Sequence, residues 1–290
     1  MDGQMNTTDV QASDWLGLSW SQWGSLGPDK EFISGLSTDE GLYRVHHKDL
    51  PGLVYIGETG RDIRSRVRAL ASGVFSGEMP YRDPHTASPC LWAIVDAYGP
   101  QLEISVATPP MATHKQSRKS IEDALIALHR REVGASPIAN FARIVPGYRQ
   151  SSYRKGGLVG GPLAEGETES HAEPGIEPPS WEEAEKLTSD SWMGLEWTSP
   201  APLSEAFHLP DETGVYRLWN PGAVPPLEYI GETANLKSRL YAHRRDRSAN
   251  LQFSYAEFSA LNAKHKREEI ESDLLGAHWL ASEQSPRDQY

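Results

Sequence analysis

Hydrophobic and polar positions along the chain repeat one order of elements twice. Short runs of β-branched and aromatic residues, such as Val54-Tyr55-Ile56, follow turn-forming pairs such as Pro51-Gly52 and predict strands. Apolar residues spaced three and four positions apart predict a helix around Ile121 and a counterpart around Ile270. Each copy reads strand, strand, helix, strand, helix, which predicts a mixed α/β (α+β) chain.

Identical residues support an internal duplication. Gly41-Leu42-Tyr43 precedes Tyr55-Ile56-Gly57-Glu58-Thr59 in the first copy. Gly214-Val215-Tyr216 precedes Tyr229-Ile230-Gly231-Glu232-Thr233 in the second. Five successive identical residues inside a longer match indicate that one segment of sequence was duplicated.

The copies also share a tryptophan pair and differ in length. Trp15 and Trp20 have the same spacing as Trp192 and Trp197, and because they repeat with the fold we expect them to pack in the core. The alternative is that they stack on a base or read a modified base. The first copy carries extra residues near 76–100, where Leu91-Trp92-Ala93-Ile94-Val95 predicts an additional helix.

The length of 290 residues allows two small domains, which we predict at 13–155 and 189–290 after a flexible N-terminus at 1–12. The segment 156–188 is rich in Gly, Pro and Glu and predicts an acidic, flexible linker. A single cysteine rules out a disulfide within the chain, which fits a reducing, cytoplasmic location. We also expect no membrane partner, since no apolar run reaches spanning length.

Net charge is −12, which by itself disfavours a nucleic-acid partner. However, nine acidic residues and one lysine lie between Gly156 and Asp190, so this segment carries eight of those charges. Basic residues also cluster, as phosphate contacts require. The candidate DNA contacts are Arg61, Arg64, Arg68, Arg149, Arg154, Lys155, Arg244 and Arg245.

These motifs together resemble the GIY-YIG nuclease family in both halves of the chain. The first signature is represented by GLY and GVY, and YIG occurs unchanged twice. An arginine, a helix glutamate and, in the first copy, a final asparagine also follow in the family's order. The resemblance implies two domains, each with a small three-stranded, mainly antiparallel sheet flanked by helices. The implied catalytic residues are Tyr43, Tyr55, Arg66, Glu122 and Asn140 in the first copy and Tyr216, Tyr229, Arg239, His243 and Glu271 in the second.

The resemblance further implies metal-dependent hydrolysis of DNA without a small-molecule cofactor. Glu122 and Glu271 would hold Mg²⁺, or another divalent ion such as Mn²⁺, because hard cations prefer oxygen ligands. An arginine would bind the phosphate, and one tyrosine of each pair would transfer a proton of the attacking water. A histidine relay four positions after the arginine is present as His243, where the first copy has Leu70.

Two further positions stay open at the sequence level. Gln289 follows Pro286 in the second copy, where it would partly substitute for Asn140. His46 and His47 in the first copy are candidates to compensate for the missing relay.

We therefore expect a DNA endonuclease that acts as a monomeric pseudo-dimer and cuts both strands with two sites in one chain. A restriction or defence role is the favoured biology, by analogy with the family. The alternatives are a catalytically weakened or inactive DNA-binding module and a repair nuclease for branched DNA.

Overall fold

The computed structural model of the chain describes residues 9–27, 31–167, 175–248, 250–258 and 261–290. The first eight residues of the predicted N-terminal segment and residues 168–174 of the predicted linker lie outside these ranges. The chain divides into two compact units, Met1–Arg118 with Ser136–Pro174 and Lys119–Ala135 with Gly175–Tyr290. The segment 119–135, which the sequence places in the first repeat, thus belongs to the second unit.

The first unit is built on one antiparallel sheet. In chain order the helices and strands of this part of the chain are β1 (Gly24–Ser25), α1 (Glu31–Ser34), β2 (Gly41–His47), β3 (Tyr55–Thr59), α2 (Ile63–Val74), α3 (Ser88–Tyr98), β4 (Leu102–Ala107) and α4 (Lys115–Val133). A separate two-stranded sheet follows, formed by β5 (Tyr148–Arg149) and β6 (Gly161–Pro162). From Lys119 onward α4 belongs to the second unit. The strand order is β1-β4-β2-β3, and α3 confirms the additional helix predicted in the insertion.

The second unit repeats this plan. Its elements are β7 (Ala201–Pro202), β8 (Gly214–Trp219), β9 (Tyr229–Thr233), α5 (Leu236–Asp246), β10 (Gln252–Glu257) and α6 (Lys264–Ser282). The strand order β7-β10-β8-β9 matches that of the first sheet. The α+β class and the repeated order of elements are confirmed, whereas the expected three strands become four in each sheet. The additional edge strands are only two residues long and carry no alternating pattern.

Side-chain caps fix where the arginine-bearing helices begin. Asp62 accepts a hydrogen bond from the backbone amide of Ser65 at 3.1 Å, at the start of α2. Asn235 accepts one from Ser238 at 2.7 Å, at the start of α5. Such caps satisfy amide groups that the first helical turn leaves unpaired. They set the phase of each helix and so the direction in which its arginine points. Among the described helices none is both long and apolar enough to cross a membrane.

A buried arginine holds each tryptophan pair against its sheet. Arg217 on β8 is completely buried and lies over Trp197 at 4.2 Å and Trp192 at 5.5 Å. Its guanidinium donates to the carbonyl oxygens of Leu187 and Ser189 at 2.6 and 2.7 Å. Burial lowers the pKa of Arg217 to about 9, so the group stays charged at neutral pH.

The first unit contains the same arrangement around Arg44 on β2. This arginine is completely buried and lies 4.3 Å from the ring centre of Trp20 and 5.7 Å from that of Trp15. It donates to the carbonyl oxygens of Val10 and Ala12 at 2.6 and 2.9 Å. The repeated tryptophans therefore pack, as expected, and their role is to enclose an arginine that anchors the preceding segment.

The substitution Arg217→Met is expected to lower the free energy of unfolding by roughly 3 kcal/mol, because buried carbonyl oxygens lose their donors. Urea unfolding followed by tryptophan fluorescence measures the loss. The control is Arg245→Met, since Arg245 is exposed and pairs with its neighbour Asp246. Equal stability of the two variants would contradict the anchoring role.

Candidate active site

In the second unit two tyrosine rings meet over a glycine. Tyr216 on β8 pairs directly with Gly231 on β9. A Cβ atom at Gly231 would lie 2.4 Å from the Tyr216 hydroxyl oxygen and 2.8 Å from Cε1 of Tyr229. Only glycine therefore leaves room for the two rings, whose centres are 6.0 Å apart. This explains physically why the motif contains glycine between its hydrophobic strand residues.

One arginine reaches both phenol groups. Arg239 on α5 donates from Nε to the Tyr216 oxygen at 2.8 Å and from Nη2 to the Tyr229 oxygen at 3.3 Å. Tyr216 is completely buried, whereas Arg239 is exposed. The guanidinium therefore lies between the tyrosine pair and solvent, where an anionic ligand has access to it.

His243 adds a second hydrogen bond to the Tyr216 oxygen, at 3.0 Å from Nε2. Its other ring nitrogen, Nδ1, accepts from Nε of Arg247 at 2.9 Å. Because a guanidinium only donates, Nδ1 carries no proton, and the neutral ring has its proton on Nε2. Burial, together with Arg239 and Arg247, lowers the pKa of His243 to about 4. His243 thus donates a hydrogen bond to Tyr216. The relay predicted from the sequence would instead have accepted a proton from the tyrosine.

Tyr216 is a neutral phenol in this environment. Burial and the neighbouring Tyr229 raise its pKa, and Arg239 only partly offsets them. Its oxygen accepts from Arg239 and from His243, which directs its own proton away from both donors. Tyr216 is therefore oriented to donate a hydrogen bond, and it becomes a base only when additional positive charge is present.

Glu271 on α6 is a partly buried carboxyl group with acidic neighbours. Burial, with Asp123 and Glu232, raises its pKa to about 8. A single carboxylate with excess negative charge around it suits Mg²⁺, which keeps water ligands and binds phosphate oxygens as well. Among the described residues no group of three or more His, Cys, Asp or Glu side chains is arranged to hold a metal. The fit therefore depends on Glu271 with water and substrate oxygens as the remaining ligands.

One buried arginine in each unit contacts the end of the strand that carries the YIGET motif, β3 in the first unit and β9 in the second. These two arginines were not among the residues predicted from the sequence. Arg267 on α6 donates to the Glu232 carboxylate at 2.7 Å and to the Leu261 carbonyl oxygen at 2.9 Å. In the first unit Arg118 donates to Glu58 at 2.5 Å. Each arginine precedes its helix glutamate by four residues in both copies. The repeated position of Arg118 and Arg267 is therefore visible when the two copies of the sequence are compared.

The first unit brings together part of its predicted site. The rings of Tyr43 and Tyr55 are 5.9 Å apart, and Nε of Arg66 donates to the Tyr43 oxygen at 3.2 Å. Leu70 occupies the histidine position and is buried. Glu122 belongs to the part of α4 in the second unit, where its carboxylate lies 3.9 Å from the Lys119 ammonium.

An amide side chain holds strand β3 of the first sheet and another holds strand β9 of the second. Asn140 accepts from the backbone amide of Ile56 at 3.0 Å and donates to its carbonyl oxygen at 2.9 Å. Gln289 accepts from the amide of Ile230 at 3.1 Å. Glutamine thus accepts the same backbone hydrogen bond that asparagine accepts, and both residues lie three positions after a proline.

His46 and His47 are engaged away from the tyrosine pair. His46 Nε2 lies 3.0 Å from a carboxylate oxygen of Glu103. His47 Nε2 lies 3.1 Å from the carbonyl oxygen of Gly99, and its Nδ1 accepts from the amide of Asp49. These contacts do not give the first site the hydrogen bond that His243 gives to Tyr216.

The candidate DNA contacts fall into three groups. Arg64 donates to the Leu36 carbonyl oxygen at 2.7 Å and so supports the fold. Four arginines contact side chains of their own unit: Arg149 pairs with Glu167, Arg154 lies near Asp83, Arg244 lies over Phe207, and Arg245 pairs with Asp246. The remaining three, Arg61, Arg68 and Lys155, are exposed.

Comparisons with protein-family models, with curated proteins and with solved structures give no match. The family resemblance therefore continues to rest on the motifs and on the geometry that they adopt.

Alanine in place of Gly57 or Gly231 is expected to lower the free energy of unfolding by about 1–3 kcal/mol, because the new Cβ overlaps a tyrosine. At Gly57 the Cβ would lie 2.7 Å from Tyr43. Urea denaturation measures the change. Gly35→Ala is the control, since its Cβ meets only the Phe32 carbonyl oxygen at 3.5 Å. Losses as small as that of the control would contradict the steric role.

His243 is expected to remain neutral, with its proton on Nε2, well below pH 6.5, the ordinary pKa of histidine. Its folded-state pKa of about 4 means that protonation disfavours the folded state, so stability contributed by His243 is lost as pH falls from about 6.5 towards 4. Long-range ¹H–¹⁵N spectra across this range report the tautomer, and the His243→Gln spectrum assigns the signal. A proton on Nδ1 at neutral pH would refute the assignment.

Proposed function

We propose that the chain is a metal-dependent DNA endonuclease of the GIY-YIG type that hydrolyses phosphodiester bonds. The observation that carries the proposal is the hydrogen-bonded cluster of Arg239, Tyr216, Tyr229 and His243 in the second unit. Strand packing alone does not require an exposed guanidinium to bridge two phenol groups. An exposed cation held in this way suits a phosphate ligand.

Arg239, Tyr216 and His243 of the second unit have separate roles in the proposed reaction. Arg239 binds the scissile phosphate through the donors that its two tyrosine contacts leave free. Neutral Tyr216 donates a hydrogen bond to a phosphate oxygen. Only its ionised form, which positive charge nearby would favour, can accept the proton of the attacking water, and His243 then stabilises the negative charge on the Tyr216 oxygen by donating to it.

Glu271 is the residue that would hold the divalent ion, Mg²⁺ or Mn²⁺. When bound, the ion supplies positive charge to the phosphate and the leaving oxygen and lowers the pKa of nearby acids. Burial, and to a smaller extent the neighbouring Asp123 and Glu232, raises the pKa of Glu271, so added positive charge would favour its ionised form. Glu122 is the corresponding residue of the first repeat.

Supercoiled plasmid with Mg²⁺ tests the proposal. The wild type is expected to produce linear DNA, while Glu122→Ala and Glu271→Ala each leave only nicked circles. Loss of one metal ligand removes one of two sites and lowers cleavage there by a factor of about 10² or more. Gel electrophoresis at several time points separates the products, with Glu196→Ala, a carboxylate outside both sites, as the control. Undiminished linear product from either variant contradicts the two-site mechanism.

A DNA-binding module with weakened chemistry is the second candidate. It is favoured by Leu70, whose side chain cannot donate the hydrogen bond that His243 gives to Tyr216. The plasmid assay separates the candidates when it is paired with a gel-mobility assay. A mobility shift without nicks in Mg²⁺ or Mn²⁺ supports the binding module. A restriction or defence role, a cytoplasmic location and the pseudo-dimer remain parts of the proposal.

A further inference from the structure

His85 is a buried histidine of the first unit. The residue is 7% exposed, and neither ring nitrogen has a hydrogen-bond partner among the described residues. It lies in the insertion that the second repeat lacks. Burial, with Arg66 and Arg61 nearby, lowers its pKa to about 4, so the ring is neutral with one donor and one acceptor. Buried polar atoms left unpaired are costly, which indicates a ligand or water at this place.

His85 lies where two clefts of the first unit adjoin. One cleft, of about 520 Å³, is of mixed polarity, and its charged lining residues are Arg61, Arg66, Glu58 and Asp62. The other, of about 900 Å³, is mainly apolar. The two clefts share His85 and Pro84, together with exposed positions of α2 such as Ala69. A molecule with an anionic part and a flat apolar part fits this pair of clefts.

The walls of the apolar cleft come from α2 and from the insertion. The exposed face of α2 contributes the small residues Ala69, Ser72 and Gly73. The insertion contributes Met79 and Tyr81. Small side chains on one side leave space for a planar group, and apolar and aromatic side chains on the other favour its burial.

The cleft described beside the corresponding helix of the second unit differs from this arrangement. Next to α5 the described cleft has a volume of about 350 Å³ and is lined by Phe207 and Tyr241, with no histidine in its lining. The difference follows from the insertion near 76–100, which only the first copy contains. The feature therefore belongs to the first unit and not to the plan that the two repeats share.

We propose that the two clefts of the first unit bind one unstacked nucleotide of DNA, with its phosphate at Arg61 and Arg66 and its base in the apolar cleft against His85. Guanidinium groups suit the phosphate oxygens, and the imidazole hydrogen-bonds the edge of the base. The inference rests on the proposed function, because it takes DNA as the ligand. It gives the insertion a role in choosing which base, modified or unmodified, lies next to a bound phosphate.

The test uses duplexes that contain 2-aminopurine, whose fluorescence rises when the base leaves the stack. The fluorescent base is placed in turn at positions around the mapped nick, or across the footprint of a protein that binds without nicking. Full-length Glu122→Ala/Glu271→Ala protein allows binding without cutting. One position is expected to show a rise of about threefold or more on binding.

Three further variants and one control, all in the same background, show where the base binds. Ser72→Trp fills the apolar cleft from an exposed helix position and is expected to abolish the rise. His85→Ala removes the hydrogen bonds and is expected to reduce it, while His85→Asn, which keeps a donor and an acceptor, partly restores it. Ser34→Trp is the matched control, because it adds the same ring at an exposed helix residue that lines neither cleft.

The outcomes separate this inference from the proposed function. Nicking by the wild type with no fluorescence rise at any position, or with equal rises in Ser72→Trp and Ser34→Trp, overturns the base pocket alone. Binding of deoxynucleoside monophosphate without a rise in duplex DNA also overturns it, in favour of a free nucleotide. A protein that neither binds nor cuts DNA fails both proposals, whereas a rise without nicking supports the pocket and refutes only the nuclease.

Discussion

Both tyrosine clusters depend on one steric constraint, the passage of a tyrosine ring across a glycine of the neighbouring strand. Tyr216 lies opposite Gly231 in the β8–β9 register, and any larger residue at that position would occupy the space of the phenol. Because β8 is also paired with β10, Tyr216 has little freedom to move aside. The phenol oxygens therefore converge at one place, and Arg239 on a capped helix reaches both.

The opposite face of the same strand secures this register. Tyr216 and Arg217 are successive residues, so they point to opposite faces of the sheet. Arg217 is buried against two tryptophans and bound to two carbonyl oxygens. A slip of one residue would exchange the two side chains and remove these contacts. The arginine anchor and the tyrosine pair thus stabilise a single alignment of the strand.

The sequence was sufficient for features that repeat and insufficient for features that depend on distant partners. The order of elements, the helix in the insertion and the packing of the tryptophans followed from periodicity and duplication. The state of His243 did not, because it is determined by Arg247, whose side chain reaches Nδ1 only in the folded helix. His85 carried no signal either, since nothing in its neighbours along the chain indicates a buried, unpaired ring.

The two copies preserve the steric frame and differ in the residue four positions after the arginine, which is Leu70 in one and His243 in the other. Replacing the tyrosine or the glycine of the frame disturbs strand packing, so such a change costs stability as well as any function. Replacing a histidine by leucine at the helix position costs little stability, since Leu70 is itself buried in the core of its unit. Duplicated domains are therefore free to diverge in their chemistry while their geometry stays fixed. A matching motif in both halves is evidence for equal architecture, and the hydrogen bonds around each tyrosine are what distinguish their chemical roles.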